Sequence, residues 1–122
     1  MGKRHSLLRR LTASVENLDA EELRDEVGLR SCIPIRELRR GNTVKVVGRL
    51  RGVVYTPSET VPTLEAELFD GSDSIQLVWL GRRRITGLEP GRRVVARGRV
   101  GLHNGELAIY NPWYELLAPA PA

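Results

Sequence analysis

Arginine is the residue type whose number and spacing could do chemistry here. The stretch LVWLGRRRITGLEPGRRVVARGRV, Leu77 to Val100, carries Arg82, Arg83, Arg84, Arg92, Arg93, Arg97 and Arg99 against a single acid, Glu89. Arg49 and Arg51 form an earlier pair at alternate positions, the spacing repeated by Arg97 and Arg99. A guanidinium presents parallel donors in a planar fork, so it grips a phosphate through two bonds at once. The chemistry on offer is therefore recognition of an anion. Pairs at alternate positions with few interleaved acids exceed what a solvated surface requires.

Bond-making chemistry has little support. The histidines are His5 and His103 and the one cysteine is Cys32. These are too few nitrogen and sulfur ligands for a dedicated zinc site, so no metal and no cofactor are expected. Neither a G-x-S-x-G elbow nor a G-x-x-x-x-G-K phosphate loop is present. Glu65 and Glu67, two residues apart, read as one solvated strand face. The chain is not expected to be an enzyme. Its six aromatic residues are few, and Tyr55 and Tyr110 are the candidates for a stacking surface. His103, just before Asn104-Gly105, reads as an exposed turn residue or as a contact to a base or phosphate. Cys32 reads as a small buried apolar residue and Trp79 as core. Of Trp113 and Tyr114, one should close the end of the fold while the other stays partly exposed.

The elements that must position these residues follow from periodicity. Leu7, Leu8, Leu11, Val15 and Leu18 recur at helical spacing, and Asp19 with Glu22 resembles a capped helix start. Two short helices ending near Gly28 are expected. Pro34 then disfavours helix, and the period becomes two. Five strands are expected. TVKVVGRLRGVVY sets Val44, Val46 and Leu50 against Lys45, Arg49 and Arg51, with Gly48 and Gly52 as bends. LEAELFD sets Leu64, Ala66 and Leu68 against Glu65, Glu67 and Phe69. SIQLVWLG points Ile75, Leu77 and Trp79 one way. RRVVARGRVGLH sets Val94, Ala96, Gly98 and Val100 against Val95, Arg97 and Arg99. ELAIYNPWYELL is read as one last strand. Asp70-Gly71-Ser72-Asp73 and His103-Asn104-Gly105 are the hairpin turns. RRRITGLEPG joins the third and fourth strands as a turn or short helix. A small closed antiparallel barrel is the economical fold, because closure removes sheet edges.

Length and charge agree with a single domain. The 122 residues suffice for one core, and a chain of this size buries roughly 65% of its unfolded surface. A lone cysteine allows no internal disulfide, which fits a reducing, cytoplasmic setting. No apolar run approaches a membrane span, and no signal peptide is evident in residues 1 to 30. Residues 1 to 35 hold six basic and six acidic side chains, whereas residues 36 to 122 hold thirteen and nine, so the whole +4 excess lies in the strand region.

IRELRRGNTVKVVGRL, LFDGSDSIQLVWL, GLEPGRRVVARGRV and NGELAIYNPWYEL together resemble the OB domain of RecG-type helicases and small stand-alone OB-fold proteins of actinobacteria. The resemblance covers about Ile33 to Leu117. It implies a five-stranded OB-fold domain over 33–117; the helical extension over residues 1–32 lies outside the resemblance, and residues 118–122 are read as a loose tail. The resemblance also implies nucleic acid as ligand. In such a fold the first and fourth strands are neighbours, which would put Arg49, Arg51, Arg97 and Arg99 on one outer surface, with Arg82, Arg83 and Arg84 at one end. OB-folds usually bind oligonucleotides over the second and third strands. That face would show Glu65, Glu67 and Gln76, and acids repel phosphate. Weak, salt-sensitive binding displaced toward the first and fourth strands is therefore expected, with single-stranded or branched DNA ahead of RNA. The alternative is a protein-interaction adaptor that uses the barrel and the N-terminal helices.

Overall fold

The computed structural model describes residues 7–118, with side chains from Leu18 onward. His5, the side chains of Leu7, Leu8, Leu11 and Val15, and residues 119–122 of the expected tail lie outside the described residues. The expected pair of helices is a single one, α1, unbroken from Leu7 to Leu29. Neither glycine nor proline occurs between Leu7 and Val27 to interrupt it. Asp19 is not a cap; it sits mid-helix and turns its carboxylate to Arg49. The helix does end beside Gly28, at Leu29, although Gly28 is not the residue that turns the chain. Ser31 takes the left-handed conformation at φ 55°, the Cys32 N–H donates to the Val27 carbonyl at 3.0 Å, and the Ser31 N–H donates to Gly28 at 3.2 Å. This crossed pair is the Schellman ending, and Val27 packs with Cys32 across it. A single 3-10 turn, Ile35–Glu37, precedes the strands.

Six strands follow: β1 (Thr43–Thr56), β2 (Thr63–Phe69), β3 (Ser74–Leu80), β4 (Arg93–His103), β5 (Glu106–Tyr110) and β6 (Trp113–Leu116). β1 pairs with β2, β2 with β3, β3 with β5, β5 with β4, and β4 returns to β1. Five strands thus form a closed ring. All its pairings are antiparallel except β3–β5, which is parallel, so the expectation of a purely antiparallel sheet is corrected. β1 can close the ring because it changes partner along its length. It pairs with β4 from Thr43 to Arg49 and with β2 from Arg49 to Thr56. A bulge between Leu50 and Gly52 leaves Arg51 outside the β2 register. Gly48 stands where the strand turns from one partner to the other, and a Cβ there would strike the Phe69 carbonyl.

The expected last strand is also two. Pro112 has no N–H to give to a ladder, and Asn111 adopts φ 47°, which asparagine tolerates better than most residues. Asn111 uses that conformation to finish β3, accepting the Leu80 N–H at 3.0 Å through its side chain. The chain then swings so that β6 pairs with β4 alongside Val94–Arg97, while β5 pairs alongside Val100–His103. The connector from Gly81 to Arg92 contains turns and no helix.

The alternation read from the sequence sets the interior. Val44, Val46, Leu50, Leu64, Ala66, Leu68, Ile75, Leu77, Trp79, Val94, Ala96 and Val100 are all buried in one cluster. Each fully buried leucine or valine contributes roughly 1.5–3 kcal/mol relative to exposure. Tyr114 meets Trp79 edge-on at 5.6 Å, and Trp113 is the partly exposed one. Gly98 faces inward, where a Cβ would lie 2.6 Å from Ile109 Cγ2.

Asp70 is the one charged side chain buried outright among the described residues. Its oxygens accept from the Ile35 N–H at 2.7 Å, the Ser72 N–H at 2.9 Å, the Ser72 hydroxyl at 2.7 Å and the Asp73 N–H at 3.1 Å. Four donors offset the desolvation of the carboxylate and tie the β2–β3 hairpin to the turn before β1. Asp70→Asn would turn an amide donor toward donors already in place. It is expected to cost about 2 kcal/mol or more, read as a lower denaturation midpoint with unchanged slope.

Candidate nucleic-acid interface

The outward arginines do not share one surface. In the β1–β4 register Arg49 stands opposite Arg93, while Arg97 stands opposite Lys45 and Arg99 opposite Thr43. Opposed like charges destabilise a pair of strands. Here α1 answers them. Asp19 pairs with Arg49, and Glu26 lies 3.2 Å from Arg93 and 3.0 Å from Arg30. Beside these ion pairs, Val27 packs on Val47, Val95 and Leu117. From the same stretch of the helix, Arg24 donates to the Gly71 carbonyl at 2.9 Å. Arg49 is thus engaged in holding the helix. Arg92 and Arg93 hold the chain end, donating to the Leu117 and Ala118 carbonyls at 2.9 and 3.1 Å.

The face of β2 and β3 carries the acids expected there, and each is paired. Arg51, aimed by the bulge, lies 3.3 Å from Glu67 and stacks 4.0 Å above the Phe69 ring. His103 places Nε2 at 2.8 Å from Glu65 and Nδ1 at 2.7 Å from the Tyr110 hydroxyl, which donates to the Leu102 carbonyl at 3.0 Å. His103 is therefore no exposed turn residue; its half-buried ring bridges β2 to β5. Arg51 and His103 are both occupied by acids of β2, and Gly52, Val54, Glu65, Glu67 and Gln76 line a shallow depression of about 260 Å³ there.

A different face remains basic. Ala96, Gly98 and Val100 point inward, so Arg97 and Arg99 point out. Arg97 stacks 4.7 Å over the Trp113 ring, its cross-strand neighbour on β6. The turn before β1 is bonded to β4: the Gly41 N–H donates to Val100 at 2.8 Å, and the Val100 N–H donates to Asn42 at 2.9 Å. That brings Arg40 beside Arg99. Together with Gly41, Val100, Gly101 and Tyr110 they line an open depression of about 340 Å³. Among the described residues, no acid stands within ion-pair distance of Arg40, Lys45, Arg97 or Arg99. Trp113 is 48% exposed and Tyr110 37%, so both rings offer surface to a ligand.

At one end of the ring, Tyr55, Arg83, Arg84 and Glu89 line a separate depression of about 190 Å³. Arg82 lies exposed on the same connector. Of the ten residues singled out from the sequence, the structure gathers Arg97, Arg99 and Tyr110 in one place and Tyr55, Arg83 and Arg84 in another. Arg49, Arg51 and His103 have acidic partners instead. Arg40, Lys45 and Trp113 were missed. The signal for Trp113 was its place beside Arg97 once β6 is separated from β5.

Cys32 is half-buried against the Val27–Val47–Val95 cluster. Burial pushes its thiol above the ordinary value, while Lys45 and Arg30 pull it partly back. Among the described residues no group of three histidine, cysteine or acidic side chains could hold a metal ion, and no helix is long and apolar enough to cross a membrane.

No protein-family model matches the chain, and no curated protein matches it. Among solved structures the chain is similar in fold to RecG, in a structure of RecG bound to a three-way DNA junction. The TM-score is 0.58 and the identity 22%, over 70% of this chain and 12% of that one. The chain thus corresponds to a small part of RecG's length.

The helix-to-strand ion pairs yield a test. Glu26→Gln leaves Arg93 opposed to Arg49 with one acid fewer. It should lower stability by about 1 kcal/mol at low ionic strength, and the loss should shrink in about 0.5 M salt, where screening weakens the arginine repulsion. Denaturant melts at the two salt concentrations measure it.

Proposed function

We propose that the ring is an OB-fold barrel and that the chain binds nucleic acid without catalysing any reaction on it, with single-stranded or branched DNA preferred to RNA. One observation carries this reading. Arg40 and Arg99 share a depression with Tyr110, and Arg97 stacks on the exposed Trp113 two residues along β4, with no described acid within ion-pair distance of any of the three arginines. Guanidinium groups supply phosphate contacts, and aromatic rings supply platforms on which unpaired bases stack. The likeness in fold to RecG, there bound to a DNA junction, supports the same ligand class. The chain's setting in this reading is cytoplasmic.

The ligand would not lie over β2 and β3, the usual OB surface. There Glu65 and Glu67 are already answered by His103 and Arg51, and a phosphate would have to displace one carboxylate or face the other. The strand would instead cross β4 near its contacts with β5 and β6. A base stacked on Trp113 would sit beside Arg97, and the next phosphate would reach Arg99 and Arg40. The adaptor reading has a weaker foothold, the exposed Leu18 and Leu29 on α1.

Binding through three or four cations releases counterions. Affinity for a single-stranded oligonucleotide should therefore fall with salt, with a log–log slope of about −2 to −3 at roughly −0.7 per neutralised phosphate. The double change Arg97→Ala with Arg99→Ala should reduce the slope by about one and leave the melting temperature close to wild type, since both side chains point outward. Fluorescence anisotropy across a salt series checks this. If wild-type protein binds neither single-stranded, duplex nor forked DNA nor RNA at about 50 mM salt, the reading is wrong.

A further inference from the structure

We propose that the depression between Tyr55 and the β3–β4 connector is a slot for one unpaired nucleobase, and that Glu89 makes the slot favour bases carrying an exocyclic amino group over thymine. The inference rests on the nucleic-acid reading above. It adds a second contact, at the end of the ring, with a base preference of its own.

Three stacked cation–aromatic pairs can be compared directly. Arg51 lies 4.0 Å from the centre of Phe69 and Arg97 4.7 Å from that of Trp113, but Arg83 lies 5.9 Å from that of Tyr55. Neither of the first two leaves room for a base between ring and guanidinium. The third is at the outer reach of such a contact. A flat base stacked between ring and guanidinium needs about 3.5 Å on each side, close to 7 Å in all. The Tyr55–Arg83 gap falls only about 1 Å short of that. Arg83 sits on an exposed connector of turns, where such a movement costs little. Tyr55 is half-buried and packed against the core, so one wall of the slot is fixed and the other adjustable.

The remaining charges fix what enters. Arg84 lines the same depression and can take the phosphate of the inserted nucleotide. Glu89 lines it as well and has no cation within ion-pair distance among the described residues, although two arginines share the depression. A carboxylate repels phosphate but accepts hydrogen bonds from a base edge. Carboxylates pair in this way with the cytosine N4 amino group. Thymine presents carbonyl oxygens O4 and O2 on either side of its single N3–H, and these oppose a carboxylate. The slot should therefore discriminate by the amino group, with Tyr55 and Arg83 supplying stacking that all bases share.

The test compares short homopolymers of deoxycytidine and deoxythymidine of equal length at about 50 mM salt, using the full chain. Wild-type protein should bind the cytosine strand roughly 3- to 10-fold more tightly, the scale of one hydrogen bond's net contribution at an exposed site. Glu89→Gln offers a donor as well as an acceptor and should bring the ratio near one, chiefly by raising affinity for the thymine strand. Glu89 is exposed, so an unchanged melting temperature is expected and confirms that the fold is not at issue. Equal wild-type affinity for the two strands, or a ratio that survives Glu89→Gln, overturns the slot while leaving nucleic-acid binding in place. Failure of both strands to bind overturns the slot together with the reading beneath it.

Discussion

The structure depends on one strand serving two partners. β1 is long enough to pair with β4 through its first half and with β2 through its second, and the bulge at Arg51 with the bare backbone at Gly48 lets it turn between them. Without that turn the five strands would be an open sheet with two edges. With it, the interior is enclosed and every outward side chain is assigned a place. The same turn opposes Arg49 to Arg93, sends Arg51 to Glu67 and leaves Arg97 and Arg99 on the far stretch of the seam.

Charge is then sorted by what each arginine finds. Arginines at the end of the seam, where β1 turns from β4 to β2, meet the acids of α1, and the helix is held there by ion pairs beside an apolar contact through Val27. Arg92 and Arg93 close the chain end through carbonyls. Arg51 and His103 are taken up by contacts to the acids of β2. What is left over, Arg40, Arg97 and Arg99 beside two exposed rings, owes its availability to those other pairings. Seven arginines within one stretch therefore have several separate roles, and only some of them are open to a phosphate.

Much of the fold was legible because a half-buried strand has a strict period of two. Val44, Val46 and Leu50, then Leu64, Ala66 and Leu68, then Ile75, Leu77 and Trp79 all lie in the core, and the turns at Asp70-Gly71 and Asn104-Gly105 fall where glycine and asparagine point. The helix was misread as two because Asp19 resembles a cap. Its partner Arg49 is distant in sequence, and nothing local reveals it. The doubled valines Val46-Val47 and Val94-Val95 did carry a signal, since apolar residues on both faces mean cover on both faces. Pro112 likewise argued against one continuous last strand. The candidate site was half legible. Alternation placed Arg97 and Arg99 outward, but Arg40 joins them only through two backbone bonds between a turn and β4. The pairing of Glu65 with His103 joins side chains of β2 and β4, strands that are not neighbours in the ring, so no local pattern reveals it.

The central claim is that binding has moved away from β2 and β3 to the surface of β4, β5 and β6. Backbone amide chemical shifts followed by NMR during titration with a single-stranded oligonucleotide test it most directly. The account requires the largest shifts at Arg40, Gly41, Arg97 to Gly101, Tyr110 and Trp113, with little change at Glu65, Glu67 and Gln76. Shifts centred on Gly52, Val54, Glu65, Glu67 and Gln76, with Arg97 and Arg99 undisturbed, would contradict it.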